Sequence, residues 1–157
     1  MIPTSSRFAQ PVRWQQVWRE AITDPTELLA ILGLAHLQSR LATGAGSAFP
    51  LRVPRGFVAR MHQGDVNDPL LRQVLPLDLE DHLIPGFELD AVGDMAAREA
   101  PGVLHKYAGR ALLITTGSCA IHCRYCFRRH FPYGEELAAR GQWREAVAAI
   151  AADPSIH

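Results

Sequence analysis

The sequence predicts an α/β protein: an N-terminal helical region, then the opening of a parallel β-α-β unit that is cut short. Three observations carry this reading. Two segments near the N-terminus place apolar residues at helical spacing. A continuous apolar run, Leu112-Leu113-Ile114, reads as a strand buried on both faces. A third helical segment follows it, stopped by Pro154. A parallel strand needs a neighbour, and the chain reaches only a fresh extended start at Ser155-Ile156-His157, so the unit reads as truncated.

In "VRWQQVWREAIT", Trp14, Val17, Trp18, Ala21 and Ile22 share one helical face. In "TDPTELLAILGLAHLQSRLA", Asp24 stands as an N-cap, Pro25 at the first helical position and Glu27 at the third, the pattern of a capping box. Leu28, Ile31, Leu32 and Ala35 continue as an apolar stripe. Both helices read as packing elements rather than cofactor sites. "TGAGSAFP" is a loop, and "FPLRVPRGFVARM" an extended entry into a short helix. From Gln63 to Gly102 the chain is rich in Asp, Pro and Gly with short apolar runs. It reads as a long irregular wrap over a neighbouring surface, its charges mostly solvated. In "QWREAVAAIAAD", Trp143, Val147, Ile150 and Ala151 fall on one face. The expected division is 1–46 for the helical region, 47–108 for the wrap, and 109–157 for the strand, a cysteine loop and the last helix.

Composition narrows the function. In 157 residues, 48% are apolar and 20% charged, enough for a buried core. The net charge is zero, which gives no support to a DNA or membrane-surface role. The first residues hold no apolar signal core, and no apolar run is long enough to span a bilayer. A cytoplasmic protein with reduced thiols is expected. Fifteen of the sixteen basic residues are arginine; Lys106 is the one lysine.

The chemistry concentrates in "TGSCAIHCRYCFRRHF". Cys119, Cys123 and Cys126 are the only cysteines, spaced C-x3-C-x2-C. Three thiols cannot all pair within one molecule. A zinc site would need a fourth ligand such as His122 or His130, and no second C-x2-C exists. Buried, unligated cysteines are the bland alternative. Against it stand Arg124, Arg128 and Arg129, which would favour thiolates. A 4Fe–4S cluster explains the count of three, with three irons ligated and one left open.

A C-x3-C-x2-C loop directly after a buried strand, with Tyr125 before the last cysteine, resembles the radical S-adenosylmethionine enzymes. "PGVLHKYAGRALLITTGSCAIHCRYCFRRHFPYG" is similar to lysine 2,3-aminomutases, most of all the branch that makes (R)-β-lysine for elongation factor P. "FPLRVPRGFVARM" and "DVNDPLLRQVLP" extend the likeness. The resemblance implies a partial radical SAM (β/α) barrel and an isomerase. Its cofactors would be a 4Fe–4S cluster on Cys119, Cys123 and Cys126, S-adenosyl-L-methionine on the open iron, and pyridoxal 5'-phosphate. "HKYAGR" resembles the family's cofactor-binding H-R-Y-x-x-R. By that match Tyr107 packs on the pyridine ring, and Arg110 and Lys106 meet the phosphate. Arg124 and Tyr125 also face the cofactors, and Arg128 clamps the substrate carboxylate as a bidentate fork.

The resemblance further implies L-lysine as substrate, a reductant such as flavodoxin or ferredoxin, a pathway link to elongation factor P, and a homo-oligomeric full-length protein. No DNA or membrane partner is expected. Two departures stand out. Lys106 replaces an arginine, and "DAVGD" (residues 90–94) occupies the place of a family D-P-L/V-x-E turn. The family's Schiff-base lysine belongs beyond residue 157, so the chain is expected to be an N-terminal portion, inactive alone, with no catalytic residue of its own. A sister mutase with another substrate, or a non-catalytic metal-binding or interaction module, are the alternatives.

Overall fold

The computed structural model describes residues 13–43, 50–127, 129–133, 135–141 and 143–156. The predicted Arg128 clamp and most of the "TGAGSAFP" loop lie outside the described residues.

Short helices build the first half: α1 (Trp14–Arg19), α2 (Pro25–Ile31), α3 (Arg55–Val58) and α4 (Leu71–Val74), with 3-10 turns at Ala35–Arg40 and Asp78–Asp81. Asp24 caps α2, its carboxylate accepting the Thr26 N–H at 2.8 Å. Glu27 does not complete a capping box; its carboxylate instead reaches Arg55 at 2.7 Å. The helix also stops sooner than its apolar stripe suggested, because Gly33 takes φ +70, a left-handed conformation that a glycine adopts without a Cβ penalty.

Leu28 and Leu32 are buried as predicted, while Ile31 is half exposed. Leu29, Leu34, Leu51, Val53, Leu71 and Val74 join them in the main core. Each fully buried leucine contributes about 1.5–3 kcal/mol. The expected apolar face of α1 is not a core face, since no residue of that helix is buried. Ala21 and Ile22 are buried but lie past its end, and Ile22 forms a backbone bridge with Val53.

The wrap is irregular, as expected, but its charges are not all solvated. Asp68 is buried at 1% exposure. Its carboxylate accepts N–H groups of His62, Leu70 and Leu71 at 3.0, 2.8 and 3.0 Å, with the His62 ring at 2.9 Å. Those bonds, led by the His62 backbone, hold the Asp68 carboxyl well below its ordinary value.

The second half is a three-stranded antiparallel sheet ordered β1 (Arg98–Ala100), β2 (Val103–Tyr107), β3 (Arg110–Leu113), packed against α5 (Arg144–Ala152). This corrects the reading of Leu112-Leu113-Ile114 as a strand buried on both faces. Burial alternates along β3, and Leu112 is 45% exposed. The physical reason is the hairpin: the Ala108-Gly109 turn folds β3 back on β2, pairing Arg110 with Tyr107 and Leu113 with Val103. The chain is thus of mixed helix and sheet, with a hairpin joining residues on either side of position 108.

Gly102 sits at φ +81 between β1 and β2, and a Cβ there would meet the Ala138 nitrogen at 2.5 Å. Its N–H donates to the buried carboxylate of Glu136 at 3.2 Å, and Glu136 also pairs with Arg98. The face of α5 differs from expectation as well. Ala146 is buried against Val103 and Ala138, with Ile150 partly buried beside them, whereas Trp143 and Val147 point outward. Alanine lets the helix lie close on the sheet; a tryptophan on that face would hold it off.

Candidate functional site

The cysteine loop leaves β3, and residues far upstream hold it. Cys119, exposed, has its carbonyl oxygen bonded by the Trp18 indole N–H at 3.2 Å. Arg52 places its guanidinium 3.9 Å from the Trp18 ring centroid and donates to the Trp18 carbonyl at 2.8 Å. Trp18, read from the sequence as a packing residue, is therefore a tether.

Ile121 packs on the main core. The His122 N–H donates to Arg52 O at 2.9 Å, and its ring Nδ1 lies 2.6 Å from Pro50 O. A carbonyl only accepts, so Nδ1 carries the proton. Cys123 and Cys126, both half-buried, are joined by a turn in which the Cys126 N–H donates to Cys123 O at 3.1 Å. Arg124 donates its backbone N–H to Gln73 O at 2.8 Å and places Nε 2.8 Å from Glu80. Arg129 pairs with the same Glu80 and donates to Arg124 O at 2.9 Å. Tyr125 is 69% exposed.

Beside Cys119 opens an apolar hollow of about 800 Å³, lined by Trp14, Val17, Trp18, Pro54 and Ser118. All three thiols are free. Among the described residues, no three His, Cys, Asp or Glu side chains converge on one point. The loop thus brings the cysteines onto one anchored segment without gathering their sulfurs.

The hairpin carries the other predicted contacts. Tyr107 and Arg110 face each other across the turn, the guanidinium 4.8 Å from the Tyr107 centroid, with Tyr107 largely exposed. Lys106 goes elsewhere. Its amine bonds Asp94 at 2.7 Å and the Val92 carbonyl. Asp94 and Val92 belong to "DAVGD", so the two departures noted in the sequence touch each other. Asp90 closes that turn, accepting the Asp94 and Met95 N–H groups at 2.9 and 2.8 Å, and these bonds, Met95's foremost, hold its carboxyl below the usual value.

Trp18→Phe keeps a ring for Arg52 and removes the N–H to Cys119. Alkylation of Cys119 is expected to quicken about 2- to 10-fold, the worth of one ordinary hydrogen bond, with the melting curve little changed. An unaltered rate would show that this bond does not order the loop.

The fold and loop define a mixed helix-and-sheet chain whose three free thiols share one tethered segment. No family model matches the chain. It is similar to the L-lysine 2,3-aminomutase of Escherichia coli (strain K12), 44% identical over 144 residues, which cover 91% of this chain and 42% of that protein. The Haemophilus influenzae L-lysine 2,3-aminomutase is 37% identical over 156 residues, 99% of this chain and 46% of the relative. That of Buchnera aphidicola is 41% identical over 123 residues, 78% and 36% of the two chains. The chain belongs to the lysine 2,3-aminomutase family. It spans less than half the length of these curated relatives.

Proposed function

We propose that this chain is part of a radical SAM L-lysine 2,3-aminomutase, an isomerase that makes (R)-β-lysine for the modification of elongation factor P. The observation that carries the reading is the loop of three free thiols within a chain 44% identical to an L-lysine 2,3-aminomutase. The donor set fits a cluster held by three thiolates: three sulfurs within eight residues, none in a disulfide. Cys119, Cys123 and Cys126 are the proposed ligands.

When bound, the 4Fe–4S cluster and S-adenosyl-L-methionine supply a carbon-centred radical, and pyridoxal 5'-phosphate carries the migrating amine. The chain's own part is binding and orientation. Tyr107 offers an exposed flat face for a ring, and Arg110 stands beside it as a phosphate partner. Lys106 is the second phosphate contact, and to serve it must give up part of its hold on Asp94. Arg124 and Tyr125 complete the cofactor contacts, and Arg128 binds the lysine carboxylate as a fork. The proposed organisation remains 1–46, 47–108 and 109–157, the last being the start of a radical SAM barrel. The proposed setting is the cytoplasm, with flavodoxin or ferredoxin as reductant and a homo-oligomeric full-length enzyme. Among the described residues no helix is long and apolar enough to cross a membrane.

On this reading the 157 residues by themselves turn over no lysine. Their one lysine is tied to Asp94, and a radical reaction tolerates little misplacement: about 1 Å costs on the order of a hundredfold. The test is conversion of L-lysine to β-lysine by anaerobically reconstituted protein with S-adenosyl-L-methionine and a reductant. No turnover is expected from this chain, and turnover from the chain joined to the remainder of a relative. Activity of the 157 residues alone, lost in Arg128→Ala, would overturn the inactivity and its placement of the essential groups.

A further inference from the structure

We propose that Glu80 is a positioning residue for the cysteine loop: one carboxylate ties Arg124 and Arg129, on either side of Cys126, and so presets the spacing of the last two cysteines. The proposal rests on the reading of those cysteines as cluster ligands.

Glu80 is a half-buried fork with both ends in use. Its side chain is 14% exposed. Oε1 accepts from the Leu77 N–H at 2.9 Å and forms an ion pair with Arg124 Nε at 2.8 Å, and Oε2 accepts from Arg129. The Arg129 side chain is 9% exposed and also donates to the Arg124 carbonyl at 2.9 Å. The segment from Arg124 to Arg129 is therefore closed into a ring through one carboxylate. Cys126 lies inside that ring and Cys123 directly before it; the Cys126 N–H bonds Cys123 O at 3.1 Å and the Arg129 N–H bonds Cys126 O at 3.0 Å. The fork therefore bears on the segment that holds Cys126 and on Arg124, the residue that follows Cys123.

The post that carries Glu80 is itself fixed. It stands on the 3-10 turn Asp78–Asp81, and the acids of that turn have separate partners. Asp78 pairs with Arg40 at 2.9 Å, and Asp81 accepts the Thr43 N–H at 3.0 Å. Leu77 bridges to Leu41, and the Ala42 N–H donates to Pro76 O at 3.3 Å. Asp78 and Asp81 fasten the turn to the helical half, and Glu80 fastens the loop to the turn. Charge-assisted bonds to a half-buried carboxylate are the strong class of hydrogen bond, and groups that orient metal ligands commonly govern metal affinity.

The test compares wild type with Glu80→Gln, Glu80→Asp and Asp78→Asn, the last an acid of the same turn that does not touch the loop. Each is reconstituted anaerobically with iron and sulfide. Iron and sulfide per chain, and the electron paramagnetic resonance spectrum with and without S-adenosyl-L-methionine, are read beside the thermal melt. Glu80→Gln is expected to lower cluster affinity about 10- to 100-fold and to shift the spectrum of what remains. Glu80→Asp is expected to restore part of the loading, and Asp78→Asn, which loosens the turn but leaves the fork whole, to lose less than Glu80→Gln.

Wild-type loading and an unchanged spectrum in Glu80→Gln would overturn the clamp while leaving the cluster reading intact. Wild type and Cys126→Ala loading alike would instead overturn the ligand reading. Should Glu80→Gln lose its cooperative melt, Arg129→Lys, which keeps the charge and loses the fork, decides the matter by the same spectrum.

Discussion

Replacing Cys123 by alanine is expected to bring the iron content of the reconstituted chain to background. Two thiolates cannot hold three irons, and among the described residues no three His, Cys, Asp or Glu side chains share a centre that could stand in. Cys123 is also the middle of the set, its carbonyl accepting the Cys126 N–H. Alanine preserves that backbone bond, so the loss isolates the sulfur. Anaerobic reconstitution with iron and sulfide, followed by electron paramagnetic resonance, measures it. The same cluster in Cys123→Ala, with the same response to S-adenosyl-L-methionine, would show that the ligands are elsewhere. One tightly bound zinc in the wild-type chain, with no cluster signal, would end the iron–sulfur reading itself.

The largest effect on stability is expected at Asp68. Its buried carboxylate satisfies three backbone N–H groups and the His62 ring. Alanine leaves those donors without their acceptor. Loss of a capping bond and of buried partners together lowers the melting temperature by on the order of 5–10 °C for a chain of this size. The pH dependence has a definite sign. The Asp68 carboxyl lies below its ordinary value in the folded state, so the unfolded chain takes up the proton more readily. The stabilisation is fully present above the unfolded value of about 3.9 and drains away as the pH falls further. Melts of wild type and Asp68→Asn between neutral and acid pH check this. The two curves should converge in acid, and parallel curves would remove Asp68 as the cause.

Local features of the fold were legible in the sequence. Asp24 caps its helix through a residue two positions on, and Leu28 and Leu32 are buried where their spacing placed them. The cysteine spacing was legible because all three cysteines lie within eight residues. What failed depended on distant partners. Leu112-Leu113-Ile114 is apolar enough for a doubly buried strand, yet its exposure follows from a hairpin partner absorbed into the "HKYAGR" motif. Trp143 outweighs Ala146 in any apolar ranking, but the sheet selects the smaller side chain. Glu80 sits in the plain acidic run "DLEDH", and nothing local marks it, because both arginines it binds lie more than forty positions away. The contact between Lys106 and "DAVGD" was equally hidden, although both departures were visible separately.

The tethers of the cysteine loop also set an order of events during synthesis. Trp18 and Cys119 are 101 positions apart, Pro50 and His122 72 apart, Glu80 and Arg129 49 apart. In each pair the upstream partner leaves the ribosome first and waits for the loop. Contacts so distant in sequence are closed late, after the loop-closure entropy has been met by the helical core. The thiols therefore emerge after the residues that will hold their loop. The loop closes onto a cradle made in advance by residues translated earlier.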